Sequence, residues 1–295
     1  MPPSRRPRSL TRAGFSRALL TWHSGARRDL PVRRAAEPWP ILVAEVMSQQ
    51  TQIERIGPAW TRFVGKWPEP RALAAADTRD LLRAWAGLGY NRRALALRQA
   101  AQTIVREYGG QVPGTVPELE RLPGVGPYTA RAVAASAFGV QVAPLDVNVR
   151  RVIGRVVGEA VSPGRLQDTA DGLVSRHDPR AWVDAVMDLA VTVCTARAPR
   201  CATCPVARMC RSAGSIAEPV AATTSSATPF RRTNRWLRGR LLAAVRDAPA
   251  DSWVDAPDGL AEHDRDAVLA ALRGLELDGF VEFRDGRARL ASDPP

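Results

Sequence analysis

Residues 116–139 read VPELERLPGVGPYTARAVAASAFG, and this stretch decides the fold. A short helical segment is followed by Leu-Pro-Gly-Val-Gly, and a second helix is predicted to begin at Pro127. Gly124 and Gly126 allow a tight turn and a close approach by another chain. Free N–H groups at the start of the second helix can hold a phosphate by hydrogen bonding and the helix dipole. The stretch predicts a helix–hairpin–helix that contacts DNA, although a bare helix pair can also serve packing alone.

A helical pattern extends outward from this stretch. From about Phe15 to Cys210, apolar residues recur at three- and four-residue spacing, with Gly and Pro between the segments. Residues 213–230 are poor in charge and rich in Ala, Ser and Thr, which predicts a linker over about 213–232. The fold class is therefore predicted to be mainly α.

The C-terminal residues 233–295 form a separate prediction. Two amphipathic segments, NRWLRGRLLAAVRDA and EHDRDAVLAALRGLELDG, precede FVEFRDGRARL, which alternates around the turn signal Asp285-Gly286. Two helices and a hairpin indicate a small winged-helix-like α+β module. Contact with nucleic acid and simple packing or dimerisation are both open roles for such a module.

The charge of the chain restricts its partners and its chemistry. Its net charge is +12, from 42 Lys and Arg against 30 Asp and Glu. This favours nucleic acid or an acidic membrane surface as a partner, although arginine-rich sequence also follows from genomic base composition. Lys66 is the only lysine, so a mechanism that needs an amine must use Lys66 or the N-terminus. Most lysine chemistry is excluded.

The hydropathy of the sequence predicts a cellular location. No run of about 18 apolar residues occurs, and the start of the sequence lacks an apolar signal segment. We therefore expect a cytoplasmic protein without a membrane partner. Arginines precede the first acidic residue, Asp29, and residues 1–14 are expected to form a basic disordered tail that either contacts phosphates or aids solubility.

All cysteines of the chain lie within seventeen residues, at the spacing C-x6-C-x2-C-x5-C. They are Cys194, Cys201, Cys204 and Cys210. Clustering in a cytosolic protein favours a metal site over disulfides. Four thiolates suit either Zn²⁺ or a [4Fe–4S] cluster, and the spacing alone leaves both open.

Two carboxylates stand in sequence contexts that suit acid–base chemistry. Glu45 lies within ILVAEVM, where apolar neighbours are expected to desolvate it and raise its pKa, although it could also lie on the polar stripe of a helix. Asp146 precedes an apolar-periodic helix and is expected to cap it, a position that can also hold it ionised. A carboxylic acid paired with a carboxylate is suited to cleaving glycosidic bonds. In a DNA-binding protein this bond would belong to a nucleotide.

The segments LVAEVMSQQTQ, LPGVGPYTARAV and PLDVNVRRV, together with the four-cysteine loop, occur in the order found in a known family. Over roughly residues 15–212 the chain resembles the helix–hairpin–helix (HhH-GPD) DNA glycosylases, most closely their MutY branch of adenine glycosylases. The resemblance implies that the four cysteines bind a [4Fe–4S] cluster. It also implies a two-lobed fold, with a six-helix barrel over about 33–144 and a cluster lobe formed by about 15–32 and 145–212. The lobes would flank a DNA cleft into which the target base is flipped.

The resemblance also implies roles for residues near the reacting bond. Glu45 would protonate adenine N7, and Asp146 would stabilise the sugar cation, with Tyr128 and Asn148 assisting. Bifunctional relatives have a lysine nucleophile where this chain has Tyr128. The implied activity is therefore that of a monofunctional hydrolase.

Further residues are implied to contact the DNA. Gln50 and Thr51 would contact the base opposite the flipped one, and Leu88 and Tyr90 would wedge beside it, which would offset a few kcal/mol of unstacking. Packing in the core is the alternative role for the last two. Arg33 and Asp184 are expected near the flipped base. The partner would be double-stranded DNA containing a mispair or lesion, bound by a monomer.

The sequence departs from the family pattern at the base pocket. Val32 stands where a tryptophan is expected, Ser48 replaces a leucine and Asn91 replaces a second tyrosine. Excision of another base, such as uracil, thymine or hypoxanthine, is therefore an alternative, as is a non-catalytic lesion-binding protein. The segment after residue 213 is also too short for the Nudix-like domain of many MutY proteins, and it is similar to the short tails of actinobacterial relatives.

Overall fold

The computed structural model describes residues 9–158, 162–215, 228–249 and 252–292. Most of the predicted basic tail and of the predicted linker lies outside these residues. The α-helices of the described part are α1 (Arg12–Ala26), α2 (Pro38–Ser48), α3 (Ile53–Lys66), α4 (Pro70–Ala74), α5 (Thr78–Ala84), α6 (Arg92–Glu107), α7 (Val116–Glu120), α8 (Pro127–Phe138), α9 (Val147–Val157), α10 (Pro163–Leu173), α11 (Pro179–Thr192), α12 (Asn234–Asp247) and α13 (Arg265–Leu277).

The strands are confined to the C-terminal region of the described residues. They are β1 (Val254–Asp255), β2 (Gly259–Leu260), β3 (His263–Asp264), β4 (Val281–Arg284) and β5 (Arg287–Leu290). The mainly α prediction is therefore confirmed. Within the ranges described, no helix has both the length and the apolar character needed to cross a membrane.

The chain divides into two compact units, and the first contains residues 1–46 and 112–222. Helix α11 packs against α1, α8 and α9 in this unit. Its core includes the fully buried side chains of Phe15, Ile153 and Trp182. Burying such large apolar side chains stabilises the unit by roughly 1.5–3 kcal/mol each.

The helix–hairpin–helix is formed within the first unit by α7 and α8. The Thr115 hydroxyl caps α7, and Pro127 occupies the first turn of α8, where a missing N–H costs nothing. Gly124 in the hairpin has φ +77°, a left-handed conformation that disfavours side chains with a Cβ. The predicted hairpin is confirmed, and the left-handed conformation in its turn explains why glycine occupies position 124.

The second unit contains residues 47–111 and 223–295. Helices α3 to α6 come from the first segment, and the C-terminal module comes from the second. Leu82 of α5 shares an apolar core with Leu237 of α12 and Leu272 of α13. The module is therefore packed onto the helices of residues 47–111.

The C-terminal module has the predicted winged-helix-like organisation. Its three-stranded sheet has the order β1-β5-β4, and β2 and β3 form a separate two-stranded sheet. All of these pairs are antiparallel. Asp285 and Gly286 join β4 to β5 with φ values of 50° and 74°. Positive φ at both central residues is typical of the type I′ turn that an Asp-Gly pair favours.

The two units differ from the lobes expected from the sequence. Residues 116–138 were expected in a barrel over about 33–144, whereas α7 and α8 belong to the same unit as the cysteine loop. The reason is that α8 packs on α11. The helical part of the chain also begins at Arg12, before the predicted end of the tail at residue 14, because Thr11 caps α1.

Candidate active site

Glu45 lies on α2 with its side chain partly buried. Burial and, secondarily, the negative charge of Asp184 raise the pKa of its carboxyl from 4.5 to about 7. A carboxyl of this kind is still substantially protonated at neutral pH. Glu45 is therefore suited to donate a proton to a leaving group.

Asp146 caps the start of α9 with three hydrogen bonds. Its Oδ1 accepts from the backbone N–H groups of Asn148 and Val149 at 2.8 and 2.7 Å, and its Oδ2 accepts from Asn148 Nδ2 at 2.7 Å. These bonds fix the orientation of the Asp146 carboxyl at the start of α9. The cap role predicted for Asp146 is confirmed, and Asn148 lies beside it as expected.

Tyr128 stands in the first turn of α8. Burial raises the pKa of its hydroxyl well above 10, and the negative charges of Glu45 and Asp146 raise it further. The hydroxyl therefore remains protonated and can donate a hydrogen bond at neutral pH. The electrostatic coupling also brings together the three residues expected to form one centre.

A buried ion network lies beside this centre. Asp188 of α11 is fully buried and accepts from His23 Nε2 at 3.0 Å and from Arg28 Nε at 2.5 Å. Arg33 Nη1 donates to the same carboxylate at 2.7 Å, while its Nε lies 2.9 Å from Asp184 Oδ1. The guanidinium of Arg33 thus bridges two aspartates.

The pKa values of the two carboxylates in this network shift in opposite directions. Burial disfavours the charge on Asp188, but hydrogen bonds from His23, Arg33 and Arg28 outweigh it and hold the pKa far below its usual range. Burial raises the pKa of Asp184, and Arg33 opposes the shift. The network therefore sets the negative charge that acts on Glu45.

Sequence reasoning missed three members of the network, Asp188, His23 and Arg28. Asp188 falls in the apolar run Val-Met-Asp-Leu-Ala of a helix that is buried on several sides. A charged residue in such a run requires partners, which is the signal that could have identified it. Arg33 and Asp184, which were predicted near the base, are both brought to this centre.

Arg151 joins Asp146 to the cysteine loop. Its Nη1 donates to Asn148 Oδ1 at 3.1 Å, and its Nε donates to the carbonyl of Cys194 at 2.9 Å. Asn148 in turn donates to Asp146. A continuous chain of hydrogen bonds thus connects the carboxylate with the first cysteine.

The four cysteines line one cavity, walled on its apolar side by α9 and α11. The lining includes Cys194, Cys201, Cys204, Cys210, Val152, Val156, Leu189 and Val193. Burial, and then the charges of the neighbouring thiolates, raise the pKa of Cys204 to about 11, so an array of thiolates here needs a cation. Among the described residues, no three His, Cys, Asp or Glu side chains converge as ligands of a single metal ion. Four cysteine sulfurs around one cavity are a donor set that suits either a [4Fe–4S] cluster or a Zn²⁺ ion.

The residues expected to contact the opposite base or to wedge beside it, Gln50, Thr51, Leu88 and Tyr90, lie in the second unit. Gln50 and Tyr90 have φ values of 55° and 46°, a left-handed conformation that is uncommon for residues other than glycine. Such strain is often kept at binding sites. Tyr90 is 38% exposed, whereas Leu88 is 6% exposed. Burial favours the packing role for Leu88 and leaves the ring of Tyr90 accessible.

Arg93, which sequence reasoning missed, holds the two loops of this surface together. The hydroxyl of Thr51 accepts a hydrogen bond from Arg93 Nη2 at 3.1 Å. The carbonyl oxygens that accept from the same guanidinium at 2.6–3.1 Å belong to Met47, Gln49, Leu88 and Gly89. A buried arginine at the start of α6 therefore fixes residues 47–51 against residues 88–90.

The residues that depart from the family pattern have different environments. Val32 is buried in a 3₁₀ turn, Pro31–Arg34. Ser48 ends α2, and Asn91 precedes α6 without a side-chain cap bond. Their effect on base choice remains a prediction.

Comparison with known proteins places these features among DNA repair proteins. Residues 43–170 match the HhH-GPD superfamily base excision DNA repair protein family. The chain is 42% identical over 290 residues to a Mycolicibacterium smegmatis protein named adenine DNA glycosylase, covering 93% of this chain and 95% of that protein. It is 39% identical over 213 residues to the human protein of that name, covering 67% of this chain and 39% of the human one.

A solved structure extends the likeness to the fold. The structure of a thermostable thymine-DNA glycosylase matches with a TM-score of 0.64 at 29% identity, covering 68% of this chain and 95% of that one.

Proposed function

The chain belongs to the HhH-GPD superfamily of base excision DNA repair proteins, and from this premise we propose that it is a monofunctional DNA glycosylase that removes adenine mispaired with 8-oxoguanine or guanine. Relatives at 42% and 39% identity that are named adenine DNA glycosylase support adenine as the base. The alternatives of another target base or of a non-catalytic protein are not favoured.

The observation that carries the proposal is the pairing of Glu45, whose carboxyl has a raised pKa, with Asp146, whose carboxyl is fixed as a helix cap. Glu45, with a pKa of about 7, donates a proton to N7 of adenine, which makes the base a better leaving group. Asp146, whose carboxyl is fixed by three hydrogen bonds, stabilises the positive charge that develops on the sugar. Tyr128 donates a hydrogen bond beside them. Water then adds to the sugar and completes hydrolysis.

The lysine content supports hydrolysis without a lyase step. A lyase of this fold needs an amine nucleophile at the hairpin, where this chain has Tyr128. Lys66, the only lysine, lies on α3 and pairs with Asp80 at 3.0 Å. No covalent imine with the sugar is therefore expected.

The cysteine cavity supports a [4Fe–4S] cluster as the resident cofactor. Cys194, Cys201, Cys204 and Cys210 would hold it, and it would supply structural order to the loop when bound. Arg155 Nη1 lies 3.4 Å from Cys194 Sγ and offsets negative charge there. Arg151 then ties the carbonyl of Cys194 to Asn148 and so orients the amide that donates to Asp146.

Double-stranded DNA containing a mispair is the proposed partner, bound by one copy of the chain. The hairpin of Gly124 and Gly126 presents the start of α8 to a phosphate. Gln50, Thr51 and Tyr90 then contact the bases around the mispair. A backbone clamp and a wedge of this kind are what extrusion of a base requires.

A panel of duplexes tests the proposal. Each contains one defined mispair: adenine opposite 8-oxoguanine, guanine or thymine, and uracil or thymine opposite guanine. Abasic sites are revealed by alkali cleavage. We expect strand breaks where adenine faces 8-oxoguanine or guanine, and only after alkali. Preferential removal of another base, or cleavage without alkali, contradicts the proposal.

A further inference from the structure

Arg235 of the C-terminal module stacks on Tyr90. Its Cζ lies 4.0 Å from the centre of the Tyr90 ring, and Cζ of Arg93 lies 5.6 Å from the same centre. Tyr90 is partly exposed and has φ +46°. Two guanidinium groups thus fix an aromatic side chain whose backbone is in an unfavourable conformation.

The helix that carries Arg235 is anchored to the unit that contains Tyr90. Leu82 of α5 is buried in one core with Leu237, which stands two residues after Arg235. Asp278, at the end of α13, pairs with both Arg92 of α6 and Arg238 of α12. Apolar packing and a shared ion pair therefore fix the position of Arg235 relative to Tyr90.

The chemistry of this pair suits nucleic acid. A planar guanidinium that lies over an aromatic ring is held there by cation–π attraction, and this restricts the orientation of the ring. Aromatic rings bordered by arginine are a recurrent platform for unstacked bases.

We propose that Arg235 is a positioning residue for Tyr90, and that the C-terminal module is thereby part of the surface that wedges into the duplex at the mispair. The module stabilises the wedge by holding the tyrosine ring in the orientation that enters the base stack. This inference rests on the proposed function, because it assigns the module a part in recognising the same DNA.

The test combines variants of the full-length protein with a fluorescent duplex. The variants are R235A, R235K, Y90A and the double variant R235A/Y90A, all in an E45Q background to prevent excision. R240A is the control, because Arg240 is an exposed arginine on the same helix, five residues further on. The probe is a duplex with 2-aminopurine next to an adenine–8-oxoguanine mispair, whose fluorescence reports stacking of a protein ring.

We expect R235A to weaken binding of this duplex roughly two- to fivefold, as loss of one cation–π contact implies, and to change the 2-aminopurine signal towards that of Y90A. R235K should retain part of the affinity, and R240A should match the parent. In the Y90A background R235A should have no further effect. Wild-type signal in R235A overturns the proposal, and so do additive effects of R235A and Y90A, since these would mean that Arg235 acts on DNA by itself.

Two further measurements distinguish loss of the positioning role from misfolding of the variant and from failure of the proposed function. Thermal unfolding checks that R235A folds, and if it does not, R235K and Y90A carry the comparison. With Glu45 restored, R235A should raise the enzyme concentration needed for half-maximal excision but leave the single-turnover rate at saturation unchanged. Absence of excision by the wild-type protein contradicts the proposed function, whereas normal excision with unchanged binding by R235A contradicts the positioning role alone.

Discussion

Arg33 donates from Nε to Asp184 at 2.9 Å, while the other end of its guanidinium is held by the buried carboxylate of Asp188. This pairing fixes the negative charge that acts on Glu45. The pKa of Glu45 is therefore set by burial and by the charge of Asp184. The position of Asp184 depends in turn on Asp188, through Arg33.

Replacing Asp184 by asparagine should move the pH profile of excision. Since Asp184 raises the pKa of Glu45, D184N should lower it, and the alkaline limb of the single-turnover rate should shift to lower pH. The wild-type limb is expected near pH 7, because activity falls as Glu45 loses its proton. Burial is the larger cause of the raised pKa, so the limb should stay well above the usual range of a glutamate. A limb in D184N that lies at or above the wild-type pH would contradict this account.

Replacing Asp188 by asparagine should destabilise the protein at neutral pH. It leaves Arg33 and Arg28 without their shared carboxylate, and loss of one partner of a buried ion pair costs about 3–5 kcal/mol in the free energy of unfolding. D168N, at an exposed aspartate of α10, is the control and should unfold as the wild type does. Urea unfolding measures the difference.

The loss of stability in D188N should also depend on pH. The pKa of Asp188 is lowered by folding, so its stabilisation is complete above the unfolded pKa of about 3.9 and is lost as the pH falls further. The free energy of unfolding of D188N should therefore lie below that of the wild type by a constant amount near neutral pH. This difference should shrink below about pH 4. A deficit that grows on acidification would show that the wild-type carboxylate is not held in its charged form.

Cutting the link between the cysteine loop and Asp146 should impair chemistry more than binding. R151A removes the donors to Asn148 Oδ1 and to the Cys194 carbonyl, so the amide that donates to Asp146 loses its orientation. We expect a fall of about tenfold or more in single-turnover rate, about 1.4 kcal/mol, with affinity for the mispaired duplex little changed. R150A, at the exposed neighbouring arginine, is the control. Equal rates in R151A and R150A would show that the link has no role in catalysis.

Local features of this fold were predictable from sequence, and long-range ones were not. The cap by Asp146 and the turn at Asp285-Gly286 depend on residues within a few positions of one another, and both are found where predicted. The pairing of Arg33 with Asp188 joins residues 155 positions apart. Hydropathy and spacing carry no signal for such a contact.

The candidate site shows the same limit. The raised pKa of Glu45 was predictable because its apolar neighbours precede and follow it directly in the chain. The stacking of Arg235 on Tyr90 depends on how the C-terminal module packs against α5 and α6, which the motifs did not specify. The grouping of the hairpin with the cysteine loop was missed because it arises from packing of α8 on α11.

The central claim is that protonated Glu45 starts the departure of adenine. The most direct test is the single-turnover rate of E45Q on an adenine–8-oxoguanine duplex, measured by alkali cleavage beside its affinity for the same duplex. Glutamine keeps the size of the side chain but has no acidic proton to transfer. We expect excision to fall by at least about a hundredfold while the affinity stays near that of wild type. Excision by E45Q at the wild-type rate would contradict the account.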